Sequence, residues 1–215
     1  MSSSRTIIIS WNAAKKFVRA LLREGSHLLP FSGRSRMATH EAGHAIVAWH
    51  SSCVVNITKI TIVPDRTSGY GGATCFDVCN RLKPENLWER VAISLAGLAA
   101  EALVYDDLGI GGSSSDLDRA GIIAENIADL PYDLSRCPWT DVEYASQRFD
   151  LTPLAHKSLT STNRKILNIC LQRAVMILEV HRQQLNALTA AIKSQDTLDS
   201  ETIRAVLGER PTFTL

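Results

Sequence analysis

His40 and His44 stand four residues apart in a segment with helical patterning, with Glu41 beside the first of them. Side chains at i and i+4 leave one face of a helix a turn apart, so both imidazoles reach a single ion at metal–nitrogen distances of about 2.0–2.1 Å. Glu41 then lies where a carboxylate takes a proton from a metal-bound water and does not itself ligate. Ala42 and Gly43 are small, which is expected to leave room above the ion for a substrate. The HExxH pattern within a helix is that of a zinc site with its base, and it directs the reading toward metal-assisted hydrolysis of a peptide bond.

A catalytic zinc takes three protein ligands and keeps one position open, so a third partner is required. His50 falls ten residues after His40, the spacing of the last histidine in HExxHxxGxxH. That pattern needs glycine where this chain has Val47, and in a continuing helix His50 points about 240° around from His44, away from the ion. No Met-turn is apparent either, Met176 being deep in a helical stripe. The acidic alternatives are Glu101, Asp116 and Asp118. Glu101, among alanines and leucines, needs a partner if buried, and it either ligates or accepts a ligand's free ring N–H. Asp116 has capping-box spacing from Ser113 and suits a helix N-terminus for that reason alone. The residues by themselves leave this choice open.

The elements that must position these groups are mostly helical. Helical pattern runs from Met37 to about Trp49 and breaks at Ser51 and Ser52. Val54 to Val63, rich in β-branched residues, reads as a strand, with a turn at Pro64 to Gly69 into a second strand near Tyr70 to Phe76. Pro84 opens a helix to about Tyr105, and a glycine–serine loop leads into another from near Ser114 to about Asp129. Pro131 to Leu159 is irregular. Residues 161–193 are strongly helical with a break near His181, and Asp199 or Ser200 caps a last short helix ended by Gly208. The expected fold class is mainly α, a helical domain with a small β-hairpin or sheet. Its expected extent is 37–207, with 1–36 a separate segment and 208–215 a tail.

Composition fits a globular domain, 45% apolar and 21% charged. A net charge of +1 is no signature of nucleic-acid binding, and none is expected. Its distribution is uneven: residues 1–36 hold seven basic side chains against Glu24 alone, a local +6. Within them, residues 11–23 wind into a basic amphipathic helix that suits packing on the domain, a membrane surface, or an organellar transit segment. His27 to Arg36, with Pro30, Ser32 and Gly33, reads as a linker. No apolar run nears the roughly 20 residues of a membrane span. Five scattered cysteines without CxxC pairing suggest free thiols in a reducing, intracellular compartment, cytoplasmic or, with a transit segment, mitochondrial or plastid.

Block by block and in order, MATHEAGHAIVAW, ITKITIVP with SGYGGAT, LAGLAAEALVY and GGSSSDLDRA resemble the peptidase domain of the FtsH family of membrane-bound AAA proteases. The run AVMILEVHRQQLNALTAAI with TLDSETIRAVL is similar to that family's closing helices. The resemblance covers about residues 37–207. It implies zinc held by His40, His44 and, from the block SSSDLDRA, Asp116, with Glu101 in a supporting role around the ligands and Glu41 as base. It also implies a polypeptide substrate and a hexameric ring. The sequence departs from the family in carrying no GxxxxGK phosphate loop and no membrane span, and in having LPYDLSRCPWTDVEY after the third-ligand helix. ATP-driven unfolding is therefore not expected to be intrinsic to this polypeptide, which leaves a homo-oligomer or a separate ATPase as the alternative partners.

Two functions from different classes follow. The first is a zinc metalloendopeptidase acting on unfolded or extended polypeptide, gripped as an added strand along the hairpin at Gly69, Tyr70, Gly71 and Gly72, whose glycines permit close approach. The second is an accessory subunit of a larger assembly that keeps a zinc-stabilised fold with little proteolysis. Glu41 favours the first, because a structural zinc needs ligands and no base.

Overall fold

The computed structural model describes residues 32–64, 71–80, 83–106, 114–129, 137–139 and 160–213. The basic segment 11–23, Gly69, Tyr70 and most of the irregular stretch 131–159 lie outside them.

Helix α1, Ser32–Trp49, is the central element. Every residue from Ala38 to Trp49 is buried, as expected of a helix enclosed on all sides. It starts at Ser32, so residues 32–36 are helix and not the linker expected from Ser32 and Gly33. Contacts outweigh those weak helix formers: Arg34 donates to the Lys193 carbonyl at 2.7 Å, and Arg36 pairs with Glu101. At its other end, the Glu89 carboxylate accepts the backbone N–H groups of Ser52 and Cys53 at 3.0 and 2.8 Å. Arg210 donates to the carbonyls of Trp49 and Val55 at 3.1 and 2.9 Å. The turn into the sheet is thus held by opposite charges at its donors and acceptors.

Helix α2, Pro84–Tyr105, crosses α1. Pro84 starts it where the lost N–H costs nothing, and Asp106, in the left-handed region at φ 53°, ends it. Its buried run includes Ala92, Ala96, Gly97, Ala99, Ala100 and Ala102. These small side chains let the two backbones approach: a Cβ on Gly43 of α1 would fall 2.5 Å from both the Ala100 Cβ and the Ala96 carbonyl oxygen.

Strands β1, Val54–Thr61, and β2, Ala73–Val78, pair antiparallel with Ile57 opposite Phe76 and Thr61 opposite Ala73. A third strand, β3, Thr197–Asp199, adds to the other edge of β1, giving the order β2-β1-β3. The expected hairpin is therefore a three-stranded sheet, and its second strand begins three residues later than the alternation suggested. Ile57 and Ile60 turn inward from β1.

Helix α3, Ser114–Ala128, and helix α4, Ser161–Val180, pack on α2. Thr160 caps α4 by accepting the Asn163 N–H at 3.2 Å. His181 interrupts the helical run, and α5, Arg182–Gln195, follows. Leu171, Leu178, Leu185 and Leu188 on these two helices are fully buried, each worth about 1.5–3 kcal/mol of transfer free energy. Helix α6, Ser200–Leu207, is capped by Asp199, which accepts the Thr202 N–H at 2.8 Å, and ends at Gly208 with φ 82°. Among the described residues no helix is long and apolar enough to cross a membrane.

Candidate metal centre

The α1–α2 crossing fixes the two histidines. Gly97 of α2 lies directly beneath the rings: a Cβ there would sit 2.5 Å from His40 Nε2 and 2.6 Å from His44 Nε2. On one side of it, the His44 Nδ1–H donates to the Ile93 carbonyl at 2.7 Å. A carbonyl only accepts, so this bond assigns the ring proton to Nδ1 and leaves the Nε2 lone pair free. On the other side, His40 Nδ1 donates to Glu101 Oε1 at 2.7 Å. Glu101 thus takes up the ring N–H of His40, the second of its two expected alternatives, and its remaining oxygen receives Arg36 Nε.

Asp116 comes from the first turn of α3. Its Oδ2 lies 3.0 Å from His40 Nε2 and 3.3 Å from His44 Nε2, and the two Nε2 atoms are 3.0 Å apart. Three donor atoms from two helices, α1 and α3, therefore converge in a triangle. Ligands about 2.0–2.1 Å from a tetrahedral ion would be about 3.3 Å apart, close to these separations. Among the described residues this is the group of histidine, cysteine and acidic side chains whose ligand atoms could hold a metal ion. Two imidazoles and a carboxylate form a donor set suited to zinc.

The electrostatics point the same way. Burial by itself lowers the His40 pKa, but the hydrogen bonds with Asp116 and Glu101 and the charge of Glu41 outweigh it and raise it to about 10. Burial raises the Asp116 carboxyl, yet the two imidazoles outweigh that and hold it well below the usual carboxylate range. The triangle is thus built around a positive charge. A divalent cation facing both Nε2 atoms would answer that demand.

Glu41 is buried beside this triangle, and its carboxylate is held from the sheet. The Thr74 hydroxyl of β2 lies 2.8 Å from Glu41 Oε2 and 3.0 Å from the Glu41 carbonyl oxygen. The other oxygen, Oε1, faces Gly72, where a Cβ would approach to 2.7 Å. Gly71 is close to Met37, one turn before Glu41 on α1, with its would-be Cβ 2.6 Å from the Met37 Cε. Of the four loop residues expected to meet substrate, Gly72 therefore borders Glu41 and Gly71 lies against Met37, while Gly69 and Tyr70 lie outside the described residues. The small size of Ala42 and Gly43 has a different reason from the one expected. Both are buried, and Gly43 makes room for α2, not for a substrate.

His50 lies away from this centre, stacked on His181 at 3.6 Å between ring centroids and 3.1 Å from Gln184 Oε1. Asp118, two residues after Asp116, is exposed. Sequence reasoning missed Gly97, Thr74 and Arg36. The small-residue run around Gly97 was a usable signal for a close crossing, whereas the other two depend on partners far away in the chain.

The chain matches the model of peptidase family M41 over residues 28–206. Similar relatives include ATP-dependent zinc metalloprotease FtsH 1 of Methylacidiphilum infernorum, 29% identical over 196 residues that span 85% of this chain and 30% of that protein. Human ATP-dependent zinc metalloprotease YME1L1 is 31% identical over 180 residues, 79% of this chain and 22% of that protein. The chain thus spans about a third or less of the length of these relatives. Their names carry the metal that the donor set fits, and the matched region contains every residue of the triangle together with Glu41. The chain belongs to peptidase family M41, and its resemblance to the FtsH peptidase domain is borne out.

Proposed function

We propose that the chain is a zinc metalloendopeptidase in which His40, His44 and Asp116 hold the ion and Glu41 is the base. The observation that carries this reading is the triangle of two Nε2 atoms and one carboxylate oxygen, 3.0–3.3 Å apart, with a buried carboxylate beside it. Zinc, when bound there, supplies Lewis acidity that makes water acidic near neutral pH and polarises a peptide carbonyl. The residues of the chain do the rest. Glu41 takes the proton of the attacking water and returns it to the leaving amine nitrogen as the C–N bond breaks. Thr74 orients Glu41 through Oε2, which turns Oε1 toward Gly72. Glu101 and the Ile93 carbonyl keep both imidazoles in the tautomer that ligates.

The substrate is an extended stretch of polypeptide. Among the described strands β2 is paired only on its β1 side, and it starts beside Glu41. A peptide added along its open edge would run past the base, held by main-chain hydrogen bonds that tolerate many sequences.

The test is zinc content together with cleavage of casein. Wild type is expected to carry zinc and cleave. Glu41→Gln should keep the metal and lose about 10²–10⁴-fold in turnover. Asp116→Ala should lose the metal, whereas Asp118→Ala should keep it. Zinc in wild type without any cleavage would favour the accessory-subunit alternative.

A further inference from the structure

We propose that Arg36 is a positioning residue of the metal centre, acting on His40 through Glu101. The proposal rests on the zinc reading given above. Arg36 and His40 are one turn apart on α1, and Glu101 and Tyr105 are one turn apart on α2, so two i, i+4 pairs face each other where the helices cross. Arg36 Nε donates to Glu101 Oε2, and Glu101 Oε1 receives the His40 ring N–H at 2.7 Å. Each carboxylate oxygen is thereby given to one end of a relay.

Glu101 is a flexible side chain with three torsions, and it is nearly fully buried, at 4% exposure, in a helical stretch whose neighbouring residues Leu98, Ala99, Ala100 and Ala102 are buried too. One hydrogen bond to an imidazole does not fix the plane of its carboxylate. The second, charged bond from Arg36 does, and it supplies the cation that a carboxylate in apolar surroundings requires. Arg36 is itself anchored. Its guanidinium lies over the Tyr105 ring, 5.3 Å from the centroid. The Tyr105 hydroxyl is 3.1 Å from Thr39 Oγ1, whose own proton goes to the Ser35 carbonyl at 3.1 Å. The rotation of the His40 ring, and with it the aim of Nε2 at Asp116, is set from a residue that the sequence places in a linker.

The consequence is for metal affinity. Outer partners of ligating histidines are typically worth 10–100-fold in affinity, and Arg36, one step further out, should be worth about tenfold. The experiment is a double-mutant cycle on the full chain: wild type, Arg36→Gln, Glu101→Gln and the double variant. Zinc affinity is read by competition with a chromophoric chelator, and melting of the zinc-free protein is recorded alongside. Arg36→Gln should weaken zinc about tenfold alone and have no further effect in the Glu101→Gln background, because the proposed route from Arg36 to His40 runs through that carboxylate. Arg36→Lys should recover part of the loss, because an ammonium restores the charge without the rigid fork. Unchanged affinity in Arg36→Gln, or an equal loss in both backgrounds, would overturn the proposal. If Arg36→Gln does not fold, Arg36→Lys carries the same cycle, and an affinity equal to wild type would be equally fatal. Failure of the wild type itself to take up zinc would overturn the metal reading and this inference together, so the two failures are distinct.

Discussion

Two histidine pairs in this molecule have the same chemistry and opposite surroundings. His40 and His44 meet edge to face, their ring centroids 4.7 Å apart and their planes at 75°, with both Nε2 atoms turned to one point. His50 and His181 lie flat on each other, 3.6 Å apart at 14°. Acids face the first pair: Glu101 and Asp116 bond to His40, with Glu41 alongside, and the His40 pKa rises to about 10. An amide and a cation face the second. Burial pushes His50 below its ordinary value, the Gln184 hydrogen bond pulls the other way, and the charges of His181 and Arg210 add to the fall. Burial likewise lowers His181. What an imidazole does is set by the groups around it: carboxylates at its nitrogens make a cation site, and a neutral stack makes a packing contact.

The difference breaks most severely at Gly97. Its Cα lies against the first pair only, so Gly97→Ala drives a methyl into both Nε2 positions and leaves the second pair untouched. Overpacking of this kind costs about 1–3 kcal/mol. For a chain of this size the melting temperature should fall by about 2–4 °C for each kcal/mol. Zinc binding and cleavage should be lost in the same variant; retained zinc at wild-type affinity would mean that the crossing is looser than the 2.5 Å approach indicates. A smaller effect is expected at Thr74, which touches the base and no ligand. Thr74→Val removes one charge-assisted hydrogen bond and should lower turnover about tenfold with zinc affinity unchanged. Parallel loss of metal would show that the hydroxyl supports the ligands and not Glu41.

Much of this was legible beforehand, and the reasons are specific. The helices announce themselves by apolar period and by end signals such as Pro84, Asp199 and Gly208, and the break at His181 was visible in the same way. His40, Glu41 and His44 are readable because their geometry is internal to one helix. Asp116 came only by resemblance, since its capping-box spacing from Ser113 explains it equally well without a metal. Strand β3 was not readable: three residues carry no period, and Leu198 pairs with Ile60, far away in the chain. The role of Gly43 failed for a similar reason, because what a small residue makes room for depends on a second helix that one helix cannot foresee. Arg36 failed at the level of propensity, where Ser32 and Gly33 outweighed a buried partner that lies 65 residues away.

The smallest expected effect belongs to the second pair. His50 and His181 have folded-state pKa values below their unfolded ones, so folding favours the neutral rings. Their stabilising contribution is therefore complete above the unfolded pKa of about 6.5 and is lost as pH falls through the folded values. Both rings are partly open to solvent, which screens the effect. Between pH 7.5 and 5, above the range in which ordinary carboxylates titrate, His50→Phe should flatten the pH dependence of the melting temperature by about 1–3 °C. Phenylalanine keeps a ring against His181 without a charge to titrate. Zinc affinity should not change, because no atom of His50 approaches the metal triangle. A flattened melting profile with unaltered zinc binding would separate the two pairs as different devices built from the same side chain, whereas a fall in zinc affinity would show that the C-terminal end of α1 is coupled to the ligands earlier in the same helix.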